Sequence, residues 1–133
     1  DVYNAMKPTP SPLYKAQLTG KLIRQIMEDN LDNVFNPDPL LKLGGDITRC
    51  AGPKAGLRRD APREERTVDV TVNGEPMMED RVYTIGTSGG RTQLRDEERE
   101  ATDRSAVEEL IDYIAALSEP ISANPVDVYE DVS

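Results

Sequence analysis

The chain has no histidine and no tryptophan, and among its 133 residues there is one cysteine (Cys50) and one phenylalanine (Phe35). Without histidine there is no Ser-His-Asp or Cys-His catalysis, no His-ligated zinc and no imidazole proton shuttle. A single cysteine allows neither an internal disulfide nor a thiolate metal cluster, and leaves the redox compartment open. No run nears the ~20 apolar residues that a membrane-spanning helix requires, and no charged-then-apolar leader is present. The sequence starts at Asp1 and enters patterned residues at once, which reads as a piece of something longer.

The length suits one domain with one real core, and apolar residues cluster even though they make up only 37% of the chain. Charge is unevenly placed. Residues 1–91 balance 13 acids with 13 bases, whereas residues 92–133 hold 12 acids and 3 bases and so carry the whole net charge of −9. Such an acidic third repels phosphate backbones and argues against nucleic acid as a partner. One stretch is locally basic, with Arg49, Lys54, Arg58, Arg59, Arg63 and Arg66 set against Asp60, Glu64 and Glu65.

Met6 to Pro12 holds three prolines and reads as a stiff lead-in. Leu13 to Leu18 alternates as a short strand, with Tyr14, Ala16 and Leu18 on one face. Thr19 is an N-cap, and Leu22, Ile23, Ile26, Met27, Leu31, Val34 and Phe35 recur at helical spacing, which predicts a helix over 20–35 stopped by Asn36-Pro37. Leu40, Leu41 and Leu43 lead to Gly44-Gly45-Asp46, then a strand over Ile47 to Cys50 and a Gly-, Pro- and Arg-rich loop over 51–66. Val68, Val70 and Val72 alternate and end at Asn73-Gly74, a turn onto which Arg81 to Thr87 would pair back antiparallel. Arg95 to Arg104 is a charge run. Ser105 and Glu108 form a capping box for a second amphipathic helix, with Ala106, Val107, Leu110, Ile111, Ile114 and Leu117, ended by Pro120. The pattern is an α+β domain over 1–121, amphipathic helices on a small mixed or antiparallel sheet, with 122–133 as a tail.

Two glycine loops offer chemistry. In Gly44-Gly45-Asp46-Ile47-Thr48-Arg49 the glycines allow close backbone approach, while Asp46 and Arg49 supply an acceptor and an anion fork. Ser88-Gly89-Gly90-Arg91 presents amide donors and a cation after a strand. The competing reading of each is an ordinary exposed turn with a surface charge. The Arg58-Arg59 pair could guide an anion, although charge runs are usually solvated faces. EF-hand spacing fails around Asp29, Asp32 and Asp38, and Met77-Met78 reads as core filling. Nothing here makes a self-sufficient active site: catalytic and metal-binding residues are both expected to be absent.

The order of elements resembles the C-terminal domain of 5′-nucleotidases. The residues that carry it are Asp1-Val2-Tyr3, Leu18-Thr19-Gly20-Lys21, Val68 to Pro76 (VDVTVNGEP), Arg81-Val82-Tyr83-Thr84-Ile85 and Leu110-Ile111-Asp112-Tyr113-Ile114. The resemblance implies a secreted or periplasmic two-domain hydrolase of nucleotide catabolism. Its N-terminal metallophosphoesterase domain, absent here, would hold two divalent ions (manganese or zinc) and the catalytic residues. This chain would recognise an anionic small molecule, a phosphoester or a sulfonate, through Gly44, Gly45, Asp46, Arg49, Ser88, Gly89, Gly90 and Arg91, and would be inactive alone. Two departures stand out. Family members stack the base between two phenylalanines, where this chain has Thr9 after Pro8 and a shortened Thr87 to Arg91 loop. Losing both rings removes about 1–3 kcal/mol of stacking per base. Asp32 to Pro39 (DNVFNPDP) followed by Gly44-Gly45-Asp46 resembles instead the thiosulfohydrolases of bacterial sulfur oxidation, which act on a sulfonate-type group carried on a partner protein's cysteine. That is the alternative substrate reading. A non-enzymatic module whose acidic helix meets a basic partner is the alternative of another class.

Overall fold

The computed structural model describes residues 12–45, 47–88, 94–122 and 127–133. Its elements run β1 (Pro12–Thr19), α1 (Gly20–Phe35), a 3-10 turn (Pro39–Leu41), β2 (Pro53–Leu57), β3 (Thr67–Val72), β4 (Glu75–Pro76), β5 (Val82–Ser88), a second 3-10 turn (Asp96–Glu98), β6 (Arg99–Ser105), α2 (Ala106–Ala116) and β7 (Tyr129–Asp131). The chain divides into two compact units, Asp1–Leu18 with Tyr83–Asn124 and Thr19–Val82 with Pro125–Ser133. Each has its own sheet and helix, so the α+β class holds.

In the first unit the sheet order is β5-β1-β6, with β1 and β6 antiparallel and Tyr14 opposite Ala101, Lys15 opposite Glu100 and Ala16 opposite Arg99. Ala16 and Leu18 are buried, as the alternation of β1 predicts. The second half of the Arg95 to Arg104 charge run is β6, an edge strand whose charges suit an exposed edge. Arg99 lies over the Tyr14 ring at 4.3 Å. Ser105 then caps α2 as expected. Its Oγ accepts from the Glu108 amide at 3.2 Å, and its own amide donates to Glu108 Oε2 at 2.9 Å, which holds that carboxyl below its usual pKa. The helix stops at Ala116, earlier than Pro120 implied, because the Leu117 backbone turns extended. Val107 is buried, whereas Ile111, Tyr113 and Leu117 remain exposed.

The second unit has a four-stranded sheet in the order β4-β3-β2-β7, with α1 against β3. α1 has the predicted bounds. Thr19 Oγ1 accepts from the Leu22 amide at 3.3 Å, and Ile23, Met27 and Leu31 are buried at successive turns. Three expectations fail here. The stretch 51–66 contains β2, unreadable because Pro53, Lys54 and Gly56 are poor strand formers, yet it is paired on both sides. Gly56 is needed there for its size: a Cβ would lie 2.7 Å from Val68 Cγ2 and 3.1 Å from Val132 Cγ2. Residues 122–133 are not wholly a tail, since β7 runs parallel to β2, with Ala55 opposite Tyr129 and Val128 buried. Ile47 to Cys50 forms no strand.

The Asn73-Gly74 turn does form, with both residues at positive φ (53° and 85°), but its partner strand is only the two residues of β4. Pro76 stands opposite Thr71 and the Met77 amide still donates to Val70 O at 2.9 Å; beyond that bond the chain leaves β3, and β5 pairs with β1 in the other unit rather than with β3. Asp69, at φ 50°, sits where the β2–β3 register shifts, a bulge that puts Thr67 and Val70 rather than alternate residues in the buried positions. Met77 is buried, whereas Met78 is exposed and its carbonyl covers the start of α1. The Gly20 amide donates to Arg81 O at 2.9 Å and the Lys21 amide to Glu79 O at 3.0 Å, which satisfies helix-start donors that have no partner within the helix.

The basic stretch is laced to α1 by acids. Glu28 is 2% exposed and accepts from the amides of Glu64 (3.0 Å), Arg66 (3.3 Å) and Thr67 (2.6 Å) and from Thr67 Oγ1 (2.5 Å). Arg63 bridges to Asp29 at 2.5 Å and Arg66 to Asp32 at 2.6 Å, while Arg59 pairs with Asp131 of β7. The Arg66 hydrogen bond holds the Asp32 carboxyl below its ordinary 3.8, helped by Asn36, which donates to it at 3.0 Å.

Two outcomes are expected. Gly20→Ala, despite alanine's better helix propensity, drives a Cβ to 2.2 Å from Met78 O and is expected to lower stability by about 1–3 kcal/mol in urea denaturation. Because the folded-state pKa of Asp32 is depressed, its ion pair stabilises fully above the unfolded pKa near 3.8 and is lost as pH falls through the folded value. Asp32→Asn is therefore expected to cost stability at pH 7 and to flatten the decline below pH 4 seen in the parent, as read by urea midpoints across that range.

Candidate functional site

The stretch after α1 leaves the helix through a polar turn. Asn36 Oδ1 accepts from the Asp38 amide at 2.9 Å, and Asp38 Oδ1 accepts from the Leu40 amide at 2.9 Å, which starts the 3-10 turn. Leu40 and Leu43, apolar in sequence, end up 87% and 82% exposed. Residues 42–45 and 47–50 follow no regular element, so their placement depends on side chains. The Thr48 hydroxyl donates to Asn30 Oδ1 at 2.7 Å, and Asn30, buried in α1, has its amide nitrogen held by Ile26 O at 2.8 Å.

This segment forms one wall of an open groove of about 580 Å³, with Gly45, Ile47, Thr48 and Arg49 on one side and Asp127, Val128 and Tyr129 on the other. The second wall is set by pairing of β7 onto β2: the Ala55 amide donates to Val128 O at 2.8 Å. Arg49 is exposed and makes no ion pair among the described residues, unlike Arg59, Arg63 and Arg66. Burial pushes the Tyr129 hydroxyl far above its usual pKa, with the charges of Cys50 and Glu28 adding to it, so it is a neutral phenol at any ordinary pH. Burial also raises the Cys50 thiol, which makes it a poor nucleophile. The groove thus offers a guanidinium fork and a phenol, groups that bind and orient an anion, with the Asp127 carboxylate beside them as an acceptor that disfavours one.

Of the residues singled out from the sequence, Gly45 and Arg49 meet in this groove. Gly44 and Gly45 are exposed, with nothing within 4 Å of the position a Cβ would take, so packing does not demand glycine at either. Ser88 is the last residue of β5, in the first unit. Asp46, Gly89, Gly90 and Arg91 lie outside the described residues. Arg59, offered as an anion guide, is engaged by Asp131. Sequence reasoning missed Asn30, Thr48 and Tyr129. Thr48 stood within the first glycine loop but was given no role, Tyr129 carried no motif, and Asn30 read as one polar position of an amphipathic helix. A smaller hollow of about 310 Å³ in the first unit, beside α2, holds Asp103, Glu108 and Asp112 around Arg104, a cation already paired with Glu109 and Asp112.

No group of three or more side chains able to hold a metal occurs among the described residues, and none of their helices is long and apolar enough to cross a membrane. None of the curated proteins is similar enough to the chain to count as a match. Solved structures are. The chain is similar to the sulfate thiohydrolase SoxB of Thermus thermophilus, at 32% identity over 93% of this chain and 23% of that one, with a TM-score of 0.78. It shares the fold of a 5′-nucleotidase precursor, also from Thermus thermophilus (21% identity, 98% of this chain and 27% of that one, TM-score 0.70). The NAD nucleotidase NadN of Haemophilus influenzae has the same fold (20% identity, 100% and 26%, TM-score 0.66). The chain spans about a quarter of the length of each. Residues 1–97 match the family described as 5′-nucleotidase, C-terminal domain, and with nearly three-quarters of its residues in that match the chain belongs to that family.

Proposed function

We propose that this chain is the substrate-recognition domain of a two-domain hydrolase, inactive alone, and that its substrate is a sulfonate-type anion of the kind a thiohydrolase acts on. The observation that carries the reading is the exposed Arg49 guanidinium, without an acid partner among the described residues, in a groove whose aromatic lining is the single ring of Tyr129. A small tetrahedral anion needs a fork and hydrogen-bond donors, which Arg49, the Tyr129 hydroxyl and the Gly45 backbone supply. A nucleoside needs stacking rings, and the sequence has Thr9 and the Thr87 to Arg91 loop where the resemblance would put them. The 32% identity to the sulfate thiohydrolase, against 21% and 20% for the two nucleotidases, supports the same choice.

Activation of the attacking water would belong to two divalent ions, manganese or zinc, held by a catalytic domain outside this chain. Asp46 and the Ser88 to Arg91 loop remain part of the proposal as further contacts to the anion, and the family likeness supports a periplasmic or extracellular setting. A phosphoester substrate is the second reading, favoured by the family match itself. A free-standing interaction module has less behind it, because the match is to a domain of enzymes.

The test uses the full-length protein loaded with manganese. Sulfate release from a thiosulfonate-bearing peptide is expected to exceed phosphate release from AMP, and Arg49→Ala is expected to raise KM for the peptide about tenfold with kcat largely kept. Efficient AMP turnover with an inert thiosulfonate would reverse the substrate choice, and an unchanged KM would remove Arg49 from the site.

A further inference from the structure

The Arg49 loop has no regular backbone structure, yet it ends in a guanidinium that must point one way to be useful. Its side-chain tie to the helix beneath it is the 2.7 Å hydrogen bond from the Thr48 hydroxyl to Asn30 Oδ1. The direction of that bond is determined. Asn30 Nδ2 donates to Ile26 O at 2.8 Å, so its carbonyl oxygen is what faces Thr48, and the hydroxyl must donate. Asn30 is 8% exposed and sits toward the C-terminal half of α1, one of the best-anchored elements of its unit: the helix start is covered by the Glu79 and Arg81 carbonyls and its third turn is bonded through Glu28. Thr48 and Arg49 are adjacent, so a bond that fixes the first restricts the backbone from which the second projects.

We infer that Asn30 and Thr48 are a positioning pair that holds the loop so that Arg49 faces the groove. This rests on the reading of the groove as the anion site. Neither residue need touch substrate. The bond converts the rigidity of a helix into the orientation of a loop cation, which lowers the ordering that an anion must otherwise impose on binding. Thr48 is exposed, so its substitution leaves the core intact.

Two variants of the full-length protein test it, Thr48→Val, which keeps the shape and removes the hydroxyl, and Thr48→Ser, which keeps the hydroxyl. The first readout is independent of activity: brief native trypsin digestion, with cleavage at the Arg49–Cys50 bond followed by mass. Thr48→Val is expected to speed that cleavage about tenfold while Thr48→Ser stays near the parent rate, as loss of one restraining hydrogen bond implies. The second is the kinetic split, with Thr48→Val raising KM about fivefold and leaving kcat within about twofold, again rescued by serine. Unchanged cleavage in Thr48→Val overturns the pair, even if KM rises, because the hydroxyl would then be a direct ligand. Failure of Thr48→Ser to rescue either effect also overturns it. Faster cleavage with unchanged KM upholds the pair and defeats the groove reading instead.

Discussion

A carboxylate closed off from water organises the second unit. Glu28 could not stand in the interior of α1's packed face by itself, because an isolated buried charge is far costlier than any single contact can offset. It is stable there because three backbone amides and a hydroxyl converge on it from Glu64 to Thr67, where the loop ends and β3 begins. The same bonds answer a second need. The amides of Arg66 and Thr67 lie in buried residues and would otherwise lack these acceptors. Helix, loop end and first strand residue are thereby joined at one point, and Asp29–Arg63 and Asp32–Arg66 tie the loop down on either side.

That arrangement changes the meaning of the basic stretch. As a string of charges it looked like a surface for anions. Folded, three of its arginines face acids of α1 and β7 at contact distance, and Arg49 and Arg58 are left as exposed cations without an ion pair among the described residues. Charge that is neutralised inside a domain does little to attract a ligand, whereas an exposed guanidinium without an ion pair keeps its field available. The acids of the last third are likewise partly internal: Arg104 faces Glu109 and Asp112 of α2, and Asp131 receives Arg59.

The groove depends on two long-range events rather than on a motif. β7 brings Asp127 to Tyr129 beside a segment roughly 80 positions earlier in the chain, and it does so by adding a parallel strand to β2, which itself carries proline and glycine. No periodicity in residues 122–133 announces this, since three residues are too few to show a strand pattern. Gly56 makes the junction possible by leaving room for the methyls of Val68 and Val132. The glycines that did attract notice, Gly44 and Gly45, are open to solvent and constrain nothing around them.

Local physics was legible. Thr19 and Ser105 as N-caps, the bounds of α1, the Asn73-Gly74 turn and the burial of Ala16 and Leu18 all follow from interactions within a few residues, and the order of elements resembled the family to which the chain belongs. What lay beyond the sequence was every decision between competing partners far apart. These were whether β5 joins β1 or β3, which acid each arginine meets, whether PKAGL is loop or strand, and whether Glu28 is a surface charge or a buried acceptor. Such choices depend on what a third segment brings into contact, and a neighbour distant in sequence leaves no mark on local spacing.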